Sequence, residues 1–140
     1  METRRTPELS LRETFLRAAA GLPGEDDRAA VVGEALDYLQ RGFDAHYAGG
    51  GASNDDVLVG DNAYALAVET IARLDEPRFV AVASRMIRDG AGRIAEGGTV
   101  TIEMWTPHLS GLLDVISEEG TEKSEARIRQ AAEDLRDQGG

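Results

Sequence analysis

The sequence predicts an all-α protein, a compact bundle of about five to six helices. Apolar residues recur at three- and four-residue spacing along most of the 140-residue chain, as they do on amphipathic helices. Glycine and proline interrupt this pattern where helices end and begin. A chain of this length favours one domain and buries roughly 70% of its unfolded surface, enough for a core without disulfides.

The first two helices are predicted from their ends. Thr6 can cap a helix and Pro7 suits the first helical position, so the first helix is expected to begin there and to end at Gly21. The second begins near Asp26, because acidic residues favour a helix N-terminus. It runs about twenty residues to the glycines at 49–51 and is expected to be a core helix.

The third helix is expected to follow Gly60, after a loop at 52–56. Tyr64 to Leu74 are apolar around most of the circumference, which is typical of a central helix. Asp75 is the predicted cap of the fourth helix and Pro77 lies in its first turn, so the two helices are antiparallel neighbours. The predicted central residues are Leu36, Leu39, Phe43, Leu66, Ile71, Phe79, Ala83 and Ile87.

The last third of the chain is less regular. Residues 99–105 alternate apolar and polar side chains, which by period indicates a strand. A single strand does not suit a helical domain, so this segment is left as extended or helical. Thr106 and Pro107 open a short helix that Gly120 closes. Residues 1–120 are then predicted to be one helical domain, and 121–140 a C-terminal helix that is peripheral or faces a partner.

The charge of the chain excludes some classes of partner. The net charge is −11, with 26 acidic and 15 basic residues, and Lys123 is the only lysine. Nucleic acid and anionic membrane surfaces both repel such a protein. An acidic chain with almost no lysine is typical of a halophilic cytosol, where the Debye length is ~3 Å. The alternative is a GC-rich genome and an ordinary acidic protein.

Other absences in the sequence narrow the choice. There is no cysteine, which excludes disulfides and thiolate chemistry. The N-terminus leads into no apolar run, and no stretch approaches the ~18 apolar residues of a membrane span. We therefore expect a cytoplasmic location. No nucleophile elbow, phosphate loop or dinucleotide fingerprint occurs, so no catalytic residue, metal or cofactor is assigned.

Two groups of polar residues are candidates for chemistry. His46 follows Asp44 near the end of the second helix, and Asp55, Asp56 or Asp61 could supply a third metal ligand. The alternative for His46 is an imidazole stabilised by the helix C-terminus, and for the carboxylates an acidic loop that caps a helix.

His108 is the second candidate. It lies in the first turn of a predicted helix and has no acid–base partner nearby in the sequence.

One stretch resembles a known family. Leu58-Val59-Gly60-Asp61, the apolar helix to Leu74, the turn at 75–77 and a helix from Phe79 towards Gly97 resemble the trans-isoprenyl diphosphate synthases. The resemblance covers some 40 residues. It implies an isoprenoid-synthase-like but truncated bundle.

The departures from that family bear on function. An active synthase carries Asp-Asp-x-x-Asp where this chain has Phe43-Asp44-Ala45-His46-Tyr47, and the second aspartate-rich motif has no counterpart. Asp44-x-His46 followed by the Gly-Asp step is similar to the non-catalytic first component of two-component heptaprenyl diphosphate synthases. The resemblance thus implies a non-catalytic subunit or regulator, with Asp44, His46, Asp55, Asp56 and Asp61 as a vestigial site. The alternative is a small helical module that binds an isoprenoid or other apolar ligand between its helices.

The same resemblance implies association. In that family the corresponding helices build the subunit interface, and a shortened copy is expected to leave apolar surface uncovered. We expect a homodimer, or a heterodimer with a prenyl diphosphate synthase, through the third and fourth helices. The predicted interface residues are Tyr64, Val68, Phe79 and Val82.

The charge generates the first testable prediction. The melting temperature should rise as KCl increases from dilute to molar concentration, because salt screens the self-repulsion of a chain with a charge of −11. Thermal melts followed by circular dichroism across a KCl series measure this. A flat or falling melting temperature contradicts the halophilic interpretation.

Overall fold

Six helices and no strand occupy the described residues, 10–22, 26–47, 54–98 and 101–139 of a computed structural model. This confirms the predicted all-α bundle. No helix in these ranges is long and apolar enough to cross a membrane. The helices are α1 (Leu11–Ala19), α2 (Asp26–Tyr47), α3 (Asn54–Ala72), α4 (Pro77–Ala95), α5 (Ile102–Ser117) and α6 (Thr121–Gly139).

α2 lies at the centre of the bundle. It packs against α1, α3, α4 and α5, which confirms it as a core helix. Its fully buried apolar residues recur at helical spacing, because they form the stripe of α2 that faces the neighbouring helices. They include Ala29, Val32, Leu36, Leu39 and Phe43.

The start of α1 differs from the sequence-based expectation. Ser10 has a non-helical ψ of 129°, and its hydroxyl accepts a hydrogen bond from the Glu13 N–H at 3.1 Å. The prediction of a continuous helix from Pro7 is therefore wrong, because Ser10 is not helical. Thr6 and Pro7 themselves lie outside the described residues. Serine caps as well as threonine does, and a cap here places Leu11 as the first buried position.

α3 begins earlier than predicted. The loop expected at 52–56 is helical from Asn54 onwards, and Gly60 lies inside the helix. An Asn-Asp-Asp sequence is favourable at a helix N-terminus, because short polar side chains cap free N–H groups and acidic charge opposes the helix dipole. Glycine at position 60 reads as a loop signal, but here it is buried where α2 approaches α3.

The residue that caps α4 also differs from the prediction. Asp75 has a positive φ of 53°, and Glu76 is the cap, its carboxylate accepting from the Arg78 N–H at 3.0 Å. The pKa of Glu76 is lowered to about 2, chiefly by the hydrogen bond from the Arg78 guanidinium and then by that from its backbone. Pro77 is the first residue of α4 and so lies in its first turn, as predicted.

α5 is one continuous helix where the sequence predicted two separate segments. It begins at Ile102, where the Thr101 hydroxyl accepts from the Met104 N–H at 3.3 Å, so the helical alternative left open for this segment is correct from Ile102 onwards and a helix start at Thr106 is wrong. Thr99 and Val100 lie outside the described residues. Pro107 lies within the helix on an exposed position, where its ring displaces no packed neighbour. The burial of Ile102 and Trp105 favours the continuous helix over a break.

Burial is distributed among the helices differently from the prediction. α5 is the helix buried on most sides, whereas the first turns of α3 are exposed, so α3 is not the central helix. α6 contributes Ile128, Ala131 and Ala132 to the same core as α1 and α5. Among the predicted central residues, Leu66 and Ile87 are only partly buried; the others are buried.

Two glycines allow the helices to approach closely. A Cβ at Gly42 would lie 2.4 Å from the Tyr64 ring, and a Cβ at Gly90 would lie 2.4 Å from the Phe43 ring. No side chain fits at these distances, so both positions exclude alanine unless an aromatic ring moves. Gly92, two residues further along α4, meets nothing within 4 Å.

This contrast gives a prediction with an internal control. Gly90→Ala should destabilise the fold by about 1–3 kcal/mol, because the added methyl overlaps the Phe43 ring. Gly92→Ala should instead be neutral or stabilising by up to about 1 kcal/mol, since alanine is the better helix former. Urea denaturation of the two variants and the wild type compares them. Equal stability of the two variants contradicts the close approach at Gly90.

Candidate functional site

An aromatic cluster joins four helices at one end of the bundle. The Phe43 ring of α2 stacks on Trp105 of α5, with centroids 4.8 Å apart and planes at 12°, and lies 5.5 Å from the Tyr64 ring of α3. Gly90 of α4 forms the floor beneath Phe43. These rings fill part of the space between the four helices.

Tyr64 is held in this cluster as a neutral phenol. Its side chain is buried, and burial raises the pKa of the hydroxyl well above its usual value. The negative charge of Asp61, one turn earlier in α3, raises the pKa of Tyr64 further. The hydroxyl therefore keeps its proton across the physiological range.

The residues predicted as a vestigial site lie near this end of the bundle. Gly42 packs against Gly60 and Tyr64, which brings the last turns of α2 beside the first turns of α3. Asp44, Asp55 and Asp61 are exposed there. The side chains of His46 and Asp56 lie outside what the structure describes. No three histidine or carboxylate side chains in the described part of the chain come together to hold a metal ion.

His108 has a partner that its sequence position does not reveal. Its Nε2 lies 3.0 Å from a carboxylate oxygen of Asp89, and its side chain is mostly buried against the Trp105 ring, 5.9 Å between centroids. The pair links α5 to α4. Nineteen residues separate the two in the chain, so only the packing of these helices brings them together. Arg88 approaches the other oxygen of Asp89, at 3.6 Å.

The predicted interface residues are not on the surface of the chain. Tyr64, Phe79 and Val82 are buried in the core, and Val68 is partly buried. The exposed apolar surface expected at these positions is therefore elsewhere. The reason is that α5, as one continuous helix, covers the inner side of α4, so that Val82 lies against Gly111.

The exposed apolar surface is instead the apolar tip of α3, which consists of Val57, Leu58 and Val59. Their exposed fractions are 39%, 66% and 60%, and no other large apolar side chain in the described ranges is as exposed. Three consecutive helical residues point to most sides of the helix. The first turns of α3 thus carry three exposed apolar side chains, flanked by Asp55 and Asp61, beside the last turns of α2.

The comparisons with known proteins give no family. No protein-family model, curated protein or solved structure matches this chain. The resemblance of the stretch around Leu58-Val59-Gly60-Asp61 to isoprenyl diphosphate synthases therefore remains an expectation from the sequence. The structure adds that the Leu-Val part of that stretch is the exposed apolar tip.

The arrangement of the carboxylates predicts the outcome of a direct assay. The purified protein should transfer no prenyl group when supplied with magnesium, an allylic diphosphate and isopentenyl diphosphate. The leaving diphosphate needs bound metal ions, and Asp44, Asp55 and Asp61 are exposed, with no three-residue metal group among the described side chains. Radiolabelled product extraction measures the reaction. Turnover above a heat-denatured control contradicts the prediction.

Proposed function

We propose that the protein is a non-catalytic, prenyl-diphosphate-synthase-like subunit or regulator that acts through helix–helix association. The observation that carries the proposal is the exposed apolar tip of α3. Isolated exposed apolar residues are common on proteins, but three in succession at the start of a helix are suited to contact with another chain.

The position of the apolar tip supports an interface more than a ligand pocket. Leu58 is more exposed than either valine, and the residues around it are charged or small. The interior next to it is filled by the Phe43 and Tyr64 rings. A partner helix can cover the tip from outside without any change in that packing, and a standard interface then buries roughly 1,200–2,000 Å².

The resemblance supplies the class of partner. A chain that shares the Leu58-Val59-Gly60-Asp61 step but has no aspartate-rich motif would contribute structure, not chemistry, to an assembly. The proposed partner is either a second copy or a catalytic prenyl diphosphate synthase subunit. In both cases the tip is the contact.

Substitution at the tip tests this function. Leu58→Glu should change the free energy of unfolding by less than about 0.5 kcal/mol, because the side chain is 66% exposed, yet weaken association about tenfold or more. Ala126→Glu, which adds the same charge to an exposed position of α6, is the matched control.

The measurement combines two readouts on tagged protein. Sedimentation velocity reports self-association, and quantitative co-purification from the native cell reports a different partner. Association that Leu58→Glu loses and Ala126→Glu keeps supports the proposal. A wild type that neither self-associates nor retains any partner dependent on Leu58 refutes it.

A further inference from the structure

The charges of α3 and α4 are separated by sign. α3 contains acidic residues and no basic one, whereas α4 contains four arginines and one acidic residue. α2, α5 and α6 all have more acidic than basic residues and α1 has two arginines and one glutamate, so α4 has the largest excess of basic residues among the six helices. The acidic residues of α3 are Asp55, Asp56, Asp61 and Glu69; the arginines of α4 are Arg78, Arg85, Arg88 and Arg93.

Both helices present these charges on outward stripes at helical spacing. The acidic stripe of α3 is Leu58, Asp61, Ala65 and Glu69, and the basic stripe of α4 is Arg78, Ala81, Arg85 and Arg88; every member is exposed. The residues between the charges in each stripe include an alanine, which lets a second helix approach. Each stripe therefore has the form of a helix-packing surface with charges of one sign.

The arginines of this stripe are available to another chain. Arg85 takes part in no ion pair within the described ranges, and Arg88 contacts only its neighbour Asp89, at 3.6 Å, with 73% of its side chain exposed. Arg78 is paired locally with Glu76. An exposed arginine near a like-charged neighbour gains from an acidic partner surface.

We propose that a second copy of this chain covers the apolar tip, with the acidic stripe of α3 in each copy packed on the basic stripe of α4 in the other. This inference rests on the proposed function, because it names the occupant of the same surface. A two-fold dimer uses the same patch twice, so a chain that carries both signs on adjacent helices is complementary to itself.

The levels of the two stripes agree with this pairing. Phe43 contacts Tyr64 in α3 and Gly90 in α4, so these residues lie at the same level of the bundle. When α3 packs antiparallel on α4 of the second copy at the same level, the order of residues is reversed, so Glu69 comes near Arg85 and Asp61 comes near Arg93. Arg88 lies between these two arginines along α4, and Leu58 lies towards the C-terminal end of α4.

The overall charge does not forbid this dimer. Two chains of charge −11 repel at long range, but about 0.1 M salt screens charges beyond ~10 Å. At contact, the opposite charges of the two stripes decide the orientation. A partner with an acidic helix would fit the basic stripe equally, but it would leave the acidic stripe and the apolar tip unmatched.

A charge exchange between the stripes tests the inference. Two double variants reverse one stripe each: Arg85→Glu with Arg88→Glu, and Asp61→Arg with Glu69→Arg. Each variant alone should lose about tenfold or more in dimer affinity, because like charges then meet. An equimolar mixture should recover association as a heterodimer. One of its two stripe contacts joins the two reversed stripes and the other joins the two unchanged stripes, so opposite charges meet at both contacts.

The control reverses two bases on α6, Lys123→Glu with Arg129→Glu, and changes the net charge by the same amount as the α4 variant. Sedimentation velocity in about 0.1 M KCl, with circular dichroism to verify folding, measures these four samples and the wild type. A wild-type dimer, weakened by each stripe variant, restored by mixing and kept by the control, supports the inference.

Two results overturn the inference. One is a dimer that the stripe variants do not weaken or that mixing does not restore. The other is a monomeric wild type at every concentration. A monomer that nevertheless retains a different partner through Leu58 overturns the self-association alone and leaves the proposed function standing, so the two failures are distinguishable.

Discussion

The seating of the Phe43 ring against the backbone of Gly90 is the contact on which the arrangement of the bundle depends. The ring can lie there only because α4 has no side chain at that position. From this place Phe43 stacks on Trp105 and contacts Tyr64, and Tyr64 in turn fits over Gly42. Four helices are thereby fixed at one level, since aromatic rings packed on glycine backbones leave little freedom for sliding or rotation.

This packing also determines what remains exposed. α2 and α3 are in close contact where Gly42 meets Gly60, but α3 extends beyond that point towards its N-terminus. Val57, Leu58 and Val59 lie on this extension, and α2 continues beside it to Tyr47 but leaves their side chains exposed. A sequence that looks like that of a central helix therefore begins with an exposed apolar tip, and the helix buried on most sides is α5.

The surface charge is divided by sign between α3 and α4. Acidic residues outnumber basic ones in most helices, yet the outward side of α4 is basic and that of α3 is acidic. Exposed ion pairs within one chain contribute little to its stability, so this segregation contributes little to folding. The His108–Asp89 pair is different, because it is mostly buried on the histidine side and joins α4 to α5.

The sequence by itself determined the all-α class, the extent of α2, the start of α4 at Pro77 and most of the core, because helical periodicity and proline are local signals. Local signals were misleading at Gly60 and Pro107, which read as boundaries but lie inside helices. Only the tertiary structure decided those cases, the partnership of His108 with Asp89 and the burial of Tyr64, Phe79 and Val82. The physical reason is that the neighbouring helix decides whether a glycine allows close packing and whether a side chain is exposed.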